Sequence, residues 1–398
     1  MRSVTIIGAG PAGLSAARVL VAAGLRDVLL LERNPEAGGL PRFCDHPGWG
    51  VLDLHRFWRG PRYARELVNR AAGAEIRTNT TVTALAPGGC VHVSSPDGQA
   101  VIESRAVLIA TGIRETPRGP RLVSGTRPWG VTTTGACQEM AQAGQIPFRR
   151  PVIIGTELVA FSALMTARHA GLRAVAMIEA NTRITARRPG DLIARHLFGV
   201  PVLTDTRLVA IKGVDRVEGI VVEHQGTRHE IACDGVIFSG AFTPEAFVAR
   251  AAGLVIDRGS GGPVIDNFYR CSDPSYFAAG NILRPVEHSG MAAREGVLAA
   301  GAILKALGTG LPRPDTAIPV TVGGAMRYAY PQRLVIGDDE PLRLFGRAQT
   351  AHRGRLRILG DDSVIASRSI STLPERRLAI TIAPRDLAGR SAVSILLD

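Results

Sequence analysis

Aromatic side chains are scarce in this sequence, at 5% of 398 residues, and lysine is scarcer still, occurring only at Lys212 and Lys305. Arginine therefore carries nearly all of the positive charge, and the net charge is +12. The arginines are scattered, with no basic block and no interleaved aromatics. A nucleic-acid surface clusters them, so no nucleic-acid partner is expected; some attraction for anionic ligands remains. No apolar run approaches the ~20 residues that cross a bilayer, so no direct membrane span is expected. An apolar strand pattern begins within the first residues and leaves no room for a signal peptide, which makes the cytoplasm the expected location. Cysteine is present at Cys44, Cys90, Cys137, Cys233 and Cys271, but never as CxxC or CxxxxC. That spacing argues against a zinc site, a local redox disulfide or an iron–sulfur cluster within this chain. Reduced, mostly buried thiols are the expectation.

What is there is a globular composition, 45% hydrophobic and 21% charged, long enough for two or three domains. The N-terminus reads VTIIGAGPAGLSAARVLVAAGLRDVLLLERN. Val4, Ile6 and Ile7 predict a buried strand. Gly8, Gly10 and Gly13 follow as GxGxxG, with Pro11 and Ala12 between them, and lead into a helix. A second strand, Val28 to Leu31, ends at Glu32, which Arg33 follows. Strand, glycine loop, helix and acid in this order form a dinucleotide-binding pattern. Gly8 permits the tight turn, Gly10 lets backbone approach a pyrophosphate, and Gly13 lets helix and strand pack closely. The helix N-terminus offers N–H groups to phosphate, and Glu32 offers acceptors to both hydroxyls of an adenosine ribose.

The pattern recurs. Shifted by 147 positions, Gly8 falls on Gly155, AGLRDV on AGLRAV, and Glu32 on Glu179. Gly10, however, falls on Glu157 and Gly13 on Ala160. Glutamate at the second position puts a side chain and a like charge where phosphate would sit. Two unit charges ~4 Å apart repel by about 4 kcal/mol at an effective dielectric near 20, roughly a thousandfold in affinity. This carboxylate either accepts the helix N-terminal N–H groups in place of phosphate or swings outward and leaves the turn open.

Two further segments favour FAD in the first unit. One strand ends in Ala110-Thr111-Gly112, and a later one ends in Gly280-Asn281 before a helix from about Ser289 to Leu307. With these segments, residues 1–310 resemble the two-dinucleotide-domain flavoproteins of the broad pyridine nucleotide–disulfide oxidoreductase family. The resemblance implies an FAD-binding Rossmann-like domain of 1–118 and 236–310. An inserted, degenerate NAD-type Rossmann-like domain would fill 119–235. It further implies that Gly39 and Leu40 lie along the cofactor, that Val82 meets the adenine, and that Gly290 begins the helix aimed at the flavin. That helix start would favour negative charge on the ring. Asn281 stands where the family usually has an aspartate on the ribitol chain. More narrowly, ATGIRETPRGPRLVSGTRPWGVTTTGACQ looks like the FAD-bearing alpha subunits of opine oxidase, hydroxyproline dehydrogenase and hydrogen cyanide synthase type complexes. The implied partners are a second dehydrogenase subunit plus, since this chain lacks the cysteine-rich segment many such proteins carry, a separate small iron–sulfur subunit.

Beyond the linker GTGLPRPDTAIP, RLRIL and RLAITI alternate, and GDD at 337–339 and 360–362 reads as turns. A small β-sandwich over 311–398 is expected, for packing or partner docking. Cys44 and Cys137 are weighed as redox thiols, His46 and His288 as proton carriers, and Arg42 and Arg114 as anion ligands. For each, an ordinary structural role competes, and no catalytic residue and no metal ligand is assigned. Three readings stay open: an FAD-dependent oxidoreductase subunit passing electrons without NAD(P)H, a free-standing NAD(P)H-dependent flavin reductase, and a non-catalytic FAD-binding scaffold.

Overall fold

The computed structural model describes residues 1–186, 190–337 and 340–398. Asp338 and Asp339 of the first expected GDD turn lie outside the described residues.

The first sheet has a parallel core in the order Glu75–Arg77, Val28–Leu31, Arg2–Ile7, Gly98–Ile109. Tyr276–Ala278 adds a further parallel strand beside Gly98–Ile109. Val4 to Ile7 are buried, as the continuous apolar run of a strand covered on both faces requires. Two antiparallel strands, Thr81–Ala86 and Cys90–Ser95, extend the sheet as an arm. Helix Pro11–Ala22 starts with proline at its first position, where the missing N–H costs nothing. The long helix Ser289–Leu307, whose range matches the expectation, packs against it. Small residues make that approach possible: a Cβ on Gly296 would lie 2.0 Å from the Ala12 carbonyl oxygen.

The second sheet is also parallel, in the order Val131–Thr133, Gly235–Phe238, Pro151–Ile154, Ala176–Ile178, Val202–Leu203. Its first turn copies the first unit. Gly8 N–H donates to Leu31 O and Gly155 N–H to Ile178 O, both at 2.8 Å. Strand Gly235–Phe238 pairs within this sheet, so residues 236–238 sit with the second unit, whereas the resemblance implies that they belong to the FAD-binding domain. The chain crosses between the two sheets through an antiparallel ladder, Ile113–Glu115 with Phe242–Pro244.

The C-terminal region forms a five-stranded and a three-stranded sheet around Leu344, Leu356, Ile380 and Ile395. Strands His352–Gly360 and Ser363–Thr372 form a hairpin across the second GDD, where Asp361 and Asp362 have positive φ. The fold is thus α/β with two Rossmann-like sheets and a β-rich C-terminal layer. No described helix is long and apolar enough to cross a membrane.

Candidate functional site

The glycine loop of the first unit is built to hold something against its backbone. Gly8 has φ +103° and a Cβ there would lie 2.5 Å from Ala110 O; a Cβ on Gly13 would lie 2.0 Å from Gly8 O. Gly39, with φ +64°, approaches so closely that its Cβ would stand 2.8 Å from Gly10 Cα. A Cβ on Gly10 would meet nothing nearer than 3.9 Å, so that face of the loop is open. No side chain caps helix Pro11–Ala22, which leaves its first-turn donors to a ligand. Glu32 is buried and accepts from Ala9 N–H at 3.1 Å and Asn34 N–H at 3.0 Å. A carboxylate has about four acceptor positions, so two remain. Arg33 and Leu40 are exposed, and Val82 lies on the strand that follows Thr80, whose N–H donates to Glu32 O at 2.9 Å.

The later segments close the cradle. Gly112 has φ +75° and open space where a Cβ would stand. Thr111 Oγ1 donates to Glu245 O at 2.8 Å, tying this end to the crossing ladder. Gly280 is wedged against Ala12, with a Cβ contact of 2.7 Å. At the start of helix Ser289–Leu307, three buried polar atoms have no hydrogen-bond partner among the described residues: Trp49 Nε1, Asp53 Oδ1 and Ser289 Oγ. Buried orphans of this kind mark an unfilled contact. An open glycine loop, an acid with spare acceptors and this orphaned rim fit an elongated dinucleotide such as FAD.

Several expected residues serve differently. Asn281 uses its amide on its own loop: Nδ2 donates to Glu287 O and Oδ1 accepts from Glu287 N–H. His288 caps the long helix, with Nδ1 accepting from Gly290 N–H at 3.1 Å; burial holds its pKa below the ordinary value. Nδ1 of His288 is thus engaged in the helix cap. His46 is held between Pro47 O and Ser162 Oγ, and burial lowers its pKa too. Burial pushes the Cys44 and Cys137 thiols up to about 12, which disfavours the thiolate form. Arg42 folds onto Phe43 and Glu36, and Arg114 is an exposed partner of Glu245; the two do not converge. Asp53 Oδ1 stands 2.9 Å from a Cβ position on Gly290. The helix start expected to favour negative charge on the flavin thus already faces a carboxylate.

Sequence reasoning missed three more groups. Glu115, on the crossing ladder, accepts from Gly135 N–H at 2.7 Å, and its Oε1 is a buried orphan. Burial pushes this carboxyl up to about 7. Arg284 and Glu295 form a buried ion pair at 2.8 Å around Gly280: Glu295 accepts from Gly280 N–H, and Arg284 donates to Gly280 O. Glu115 lies 20 positions from Gly135 and Arg284 lies 11 from Glu295, and no local pattern connects them.

The second unit departs from the first in its carboxylates. Glu157 neither caps helix Leu158–His169 nor swings outward. It turns back into the turn, accepts from Ser239 Oγ, and packs beside Gly155 and Gly240. Burial raises its pKa, and its bulk fills the space beside Gly155 and Gly240. Glu179 accepts from Thr156 Oγ1, Thr185 Oγ1, Asn181 N–H and Asn181 Nδ2. All of its acceptor positions are used, whereas its counterpart Glu32 keeps two. Among the described residues no cluster suits a metal ion, and the five cysteines are free.

The model of the pyridine nucleotide-disulphide oxidoreductase family matches residues 2–296. An opine oxidase subunit of Rhizobium meliloti is 28% identical over 310 residues, covering 70% of this chain and 58% of that one. The alpha subunit of sarcosine oxidase from the same species is 27% identical over 345 residues, covering 79% of this chain and 31% of that one. The chain thus spans little more than half, or less, of these relatives. A thioredoxin reductase structure from T. acidophilum superposes with a TM-score of 0.65 at 23% identity, covering 76% of this chain and 97% of that one; this likeness is one of fold.

Proposed function

We propose, for a chain that belongs to the pyridine nucleotide-disulphide oxidoreductase family, that it is one subunit of a multi-chain oxidase or dehydrogenase and passes electrons through its flavin without NAD(P)H. The chain is a flavin oxidoreductase and its cofactor is FAD. The observation that carries the proposal is the filled second site. The Glu157 carboxyl lies where a coenzyme diphosphate would pass, and Glu179 has no acceptor left for a ribose. The subunit names of the opine and sarcosine oxidase relatives support a complex whose partner oxidises an amine, amino acid or similar small metabolite.

In this reading Gly8, Gly10, Gly13 and the first turn of helix Pro11–Ala22, with Ala12, hold the diphosphate. Glu32 holds the adenosine ribose. Gly39, Ala110, Thr111, Gly112, Gly280 and Gly290 line the rest. The hydride and electron chemistry resides in the flavin ring when it is bound; the chain positions that ring and excludes water. Asn281 acts through its loop, keeping Gly280 in place.

The test is anaerobic mixing of the purified FAD-loaded protein with NADH and with NADPH, following absorbance at 450 nm. Absent or very slow bleaching is expected. Rapid bleaching by either coenzyme would mean a free-standing reductase. Co-expression with a neighbouring dehydrogenase chain, then turnover on proline-like and opine-like amines with the flavin band monitored, tests the complex. A flavin that stays oxidised throughout turnover would reduce this chain to a scaffold.

A further inference from the structure

Leu40, Glu115 and Gly135 come together where the first unit meets the second. A Cβ on Gly135 would stand 3.5 Å from Glu115 Oε2 and 3.7 Å from Leu40 Cδ2. Leu40 follows Gly39, and Glu115 lies on the crossing strand just beyond Gly112. Both glycines line the FAD cradle proposed above, which puts this carboxyl beside the cofactor.

Nothing offsets its charge. Oε2 accepts from Gly135 N–H at 2.7 Å, and Oε1 is buried with no hydrogen-bond partner among the described residues. Arg121 is the cation that faces it. The Arg121 guanidinium is committed elsewhere, to the Thr116, Ser239 and Gly240 carbonyls at 2.7, 3.0 and 2.6 Å. The other titratable groups turned toward Glu115 are the Glu157 carboxyl, a like charge, and the Cys44 and Cys137 thiols, which burial keeps neutral. A buried carboxylate with no paired cation is costly, and a proton removes the cost. Burial accordingly pushes Glu115 up to about 7. Capping helix Thr134–Gln142 does not account for Oε1, since the Thr133 side chain already accepts from Ala136 N–H at that helix start.

We propose that Glu115 is a redox-linked proton site, taking a proton from solvent as the flavin is reduced and returning it as the flavin is reoxidised. The inference rests on FAD occupying the first unit and not on the route by which electrons reach it. Two electrons and one proton on the ring leave one negative charge there. A second proton, on Glu115, cancels it; both protons return to solvent when the two electrons pass to an electron-accepting partner. The linkage is reciprocal: an ionised Glu115 opposes charge on the ring by as much as that charge raises the carboxyl's hold on its proton. Contact with the ring is not required, so Glu115 is a positioning residue for charge.

Potentiometric titration of the full-length FAD-loaded protein, with a chemical reductant and mediator dyes from about pH 6 to 9, tests this. Each proton taken up per two electrons changes the reduction equilibrium tenfold per pH unit, about 30 mV. The native midpoint potential should fall by about 60 mV per pH unit above about pH 7, and that of E115Q by about 30 mV. Glutamine keeps an acceptor for Gly135 N–H, so a group that merely caps the helix would leave the native slope in E115Q. Proton uptake measured with an indicator dye at about pH 8 should be near two per native flavin and near one in E115Q. Should E115Q not retain flavin, E115L is measured in its place; should neither retain it, the native proton count decides, two supporting the proposal and one overturning it. Equal slopes in native and variant chains also overturn it. Bleaching by NADH would change the electron route proposed above and leave these slopes as they are.

Discussion

Glu115 and Gly13 show how far single residues carry the chemistry. The Glu115 carboxyl is buried beside Leu40 and Gly135, with one oxygen unpartnered, and burial pushes it up to about 7. A carboxyl whose folded pKa is raised favours the protonated form in the fold. Its contribution to stability is full below the ordinary carboxylate range and is lost as pH rises through about 7. Melting temperature should therefore fall over that window, and Glu115→Gln should flatten the fall. A native profile that is already flat, or a variant with the same slope, would remove Glu115 as the titrating group. Gly13→Ala forces a Cβ to 2.0 Å from Gly8 O. A loss of about 1–3 kcal/mol in chemical denaturation is expected, together with loss of the flavin spectrum after gel filtration.

At the scale of elements, the site depends on how two helices approach. Helix Ser289–Leu307 lies against helix Pro11–Ala22 through Gly296 and Ala12, and this contact keeps Gly280 wedged on Ala12 beside the glycine loop. Gly296→Ala should push the helices apart, lower stability and release FAD. Gly301, on the same helix, has nothing within 4 Å of a Cβ position. Gly301→Ala should keep FAD and gain up to about 1 kcal/mol from helix propensity. Flavin content and melting temperature of the two variants, measured side by side, check this; equal behaviour would show that the close approach is unimportant.

At the scale of the whole molecule, the C-terminal region is fastened to the first unit and not merely appended to it. Tyr328 and Tyr330 are buried in the same cluster as Tyr276 and Ile109. Tyr330 Oη donates to Glu295 Oε1 at 3.2 Å, so the ion pair that grips Gly280 is completed from another domain. Tyr330→Phe should cost about 1.5–3 kcal/mol, the range for a hydrogen bond to a charged group, and should speed FAD release. A chain ending at residue 310 should lose the flavin or aggregate, since the removed tyrosines cover apolar surface; a stable, yellow truncated protein would contradict this. The C-terminal region thus packs behind the Gly280 loop through Tyr330 and Glu295.

The sequence by itself determined the repeated strand, glycine turn and helix, the acids at Glu32 and Glu179, and the range of the helix Ser289–Leu307. These rest on neighbours a few positions apart, where φ preferences and the spacing of apolar residues act directly. The same spacing exposed Glu157 as the odd residue in its turn. Only the tertiary structure decided where that carboxyl goes, because Ser239 reaches it from 82 positions away. It also decided that Glu179 is saturated while Glu32 is not, that Asn281 and His288 are bound up in their own loop and helix, and that Arg284, Glu295 and Tyr330 meet around Gly280. Buried polar atoms must find partners wherever the folded chain supplies them. Which partner arrives is settled by packing across the whole molecule, and a linear pattern carries no record of it.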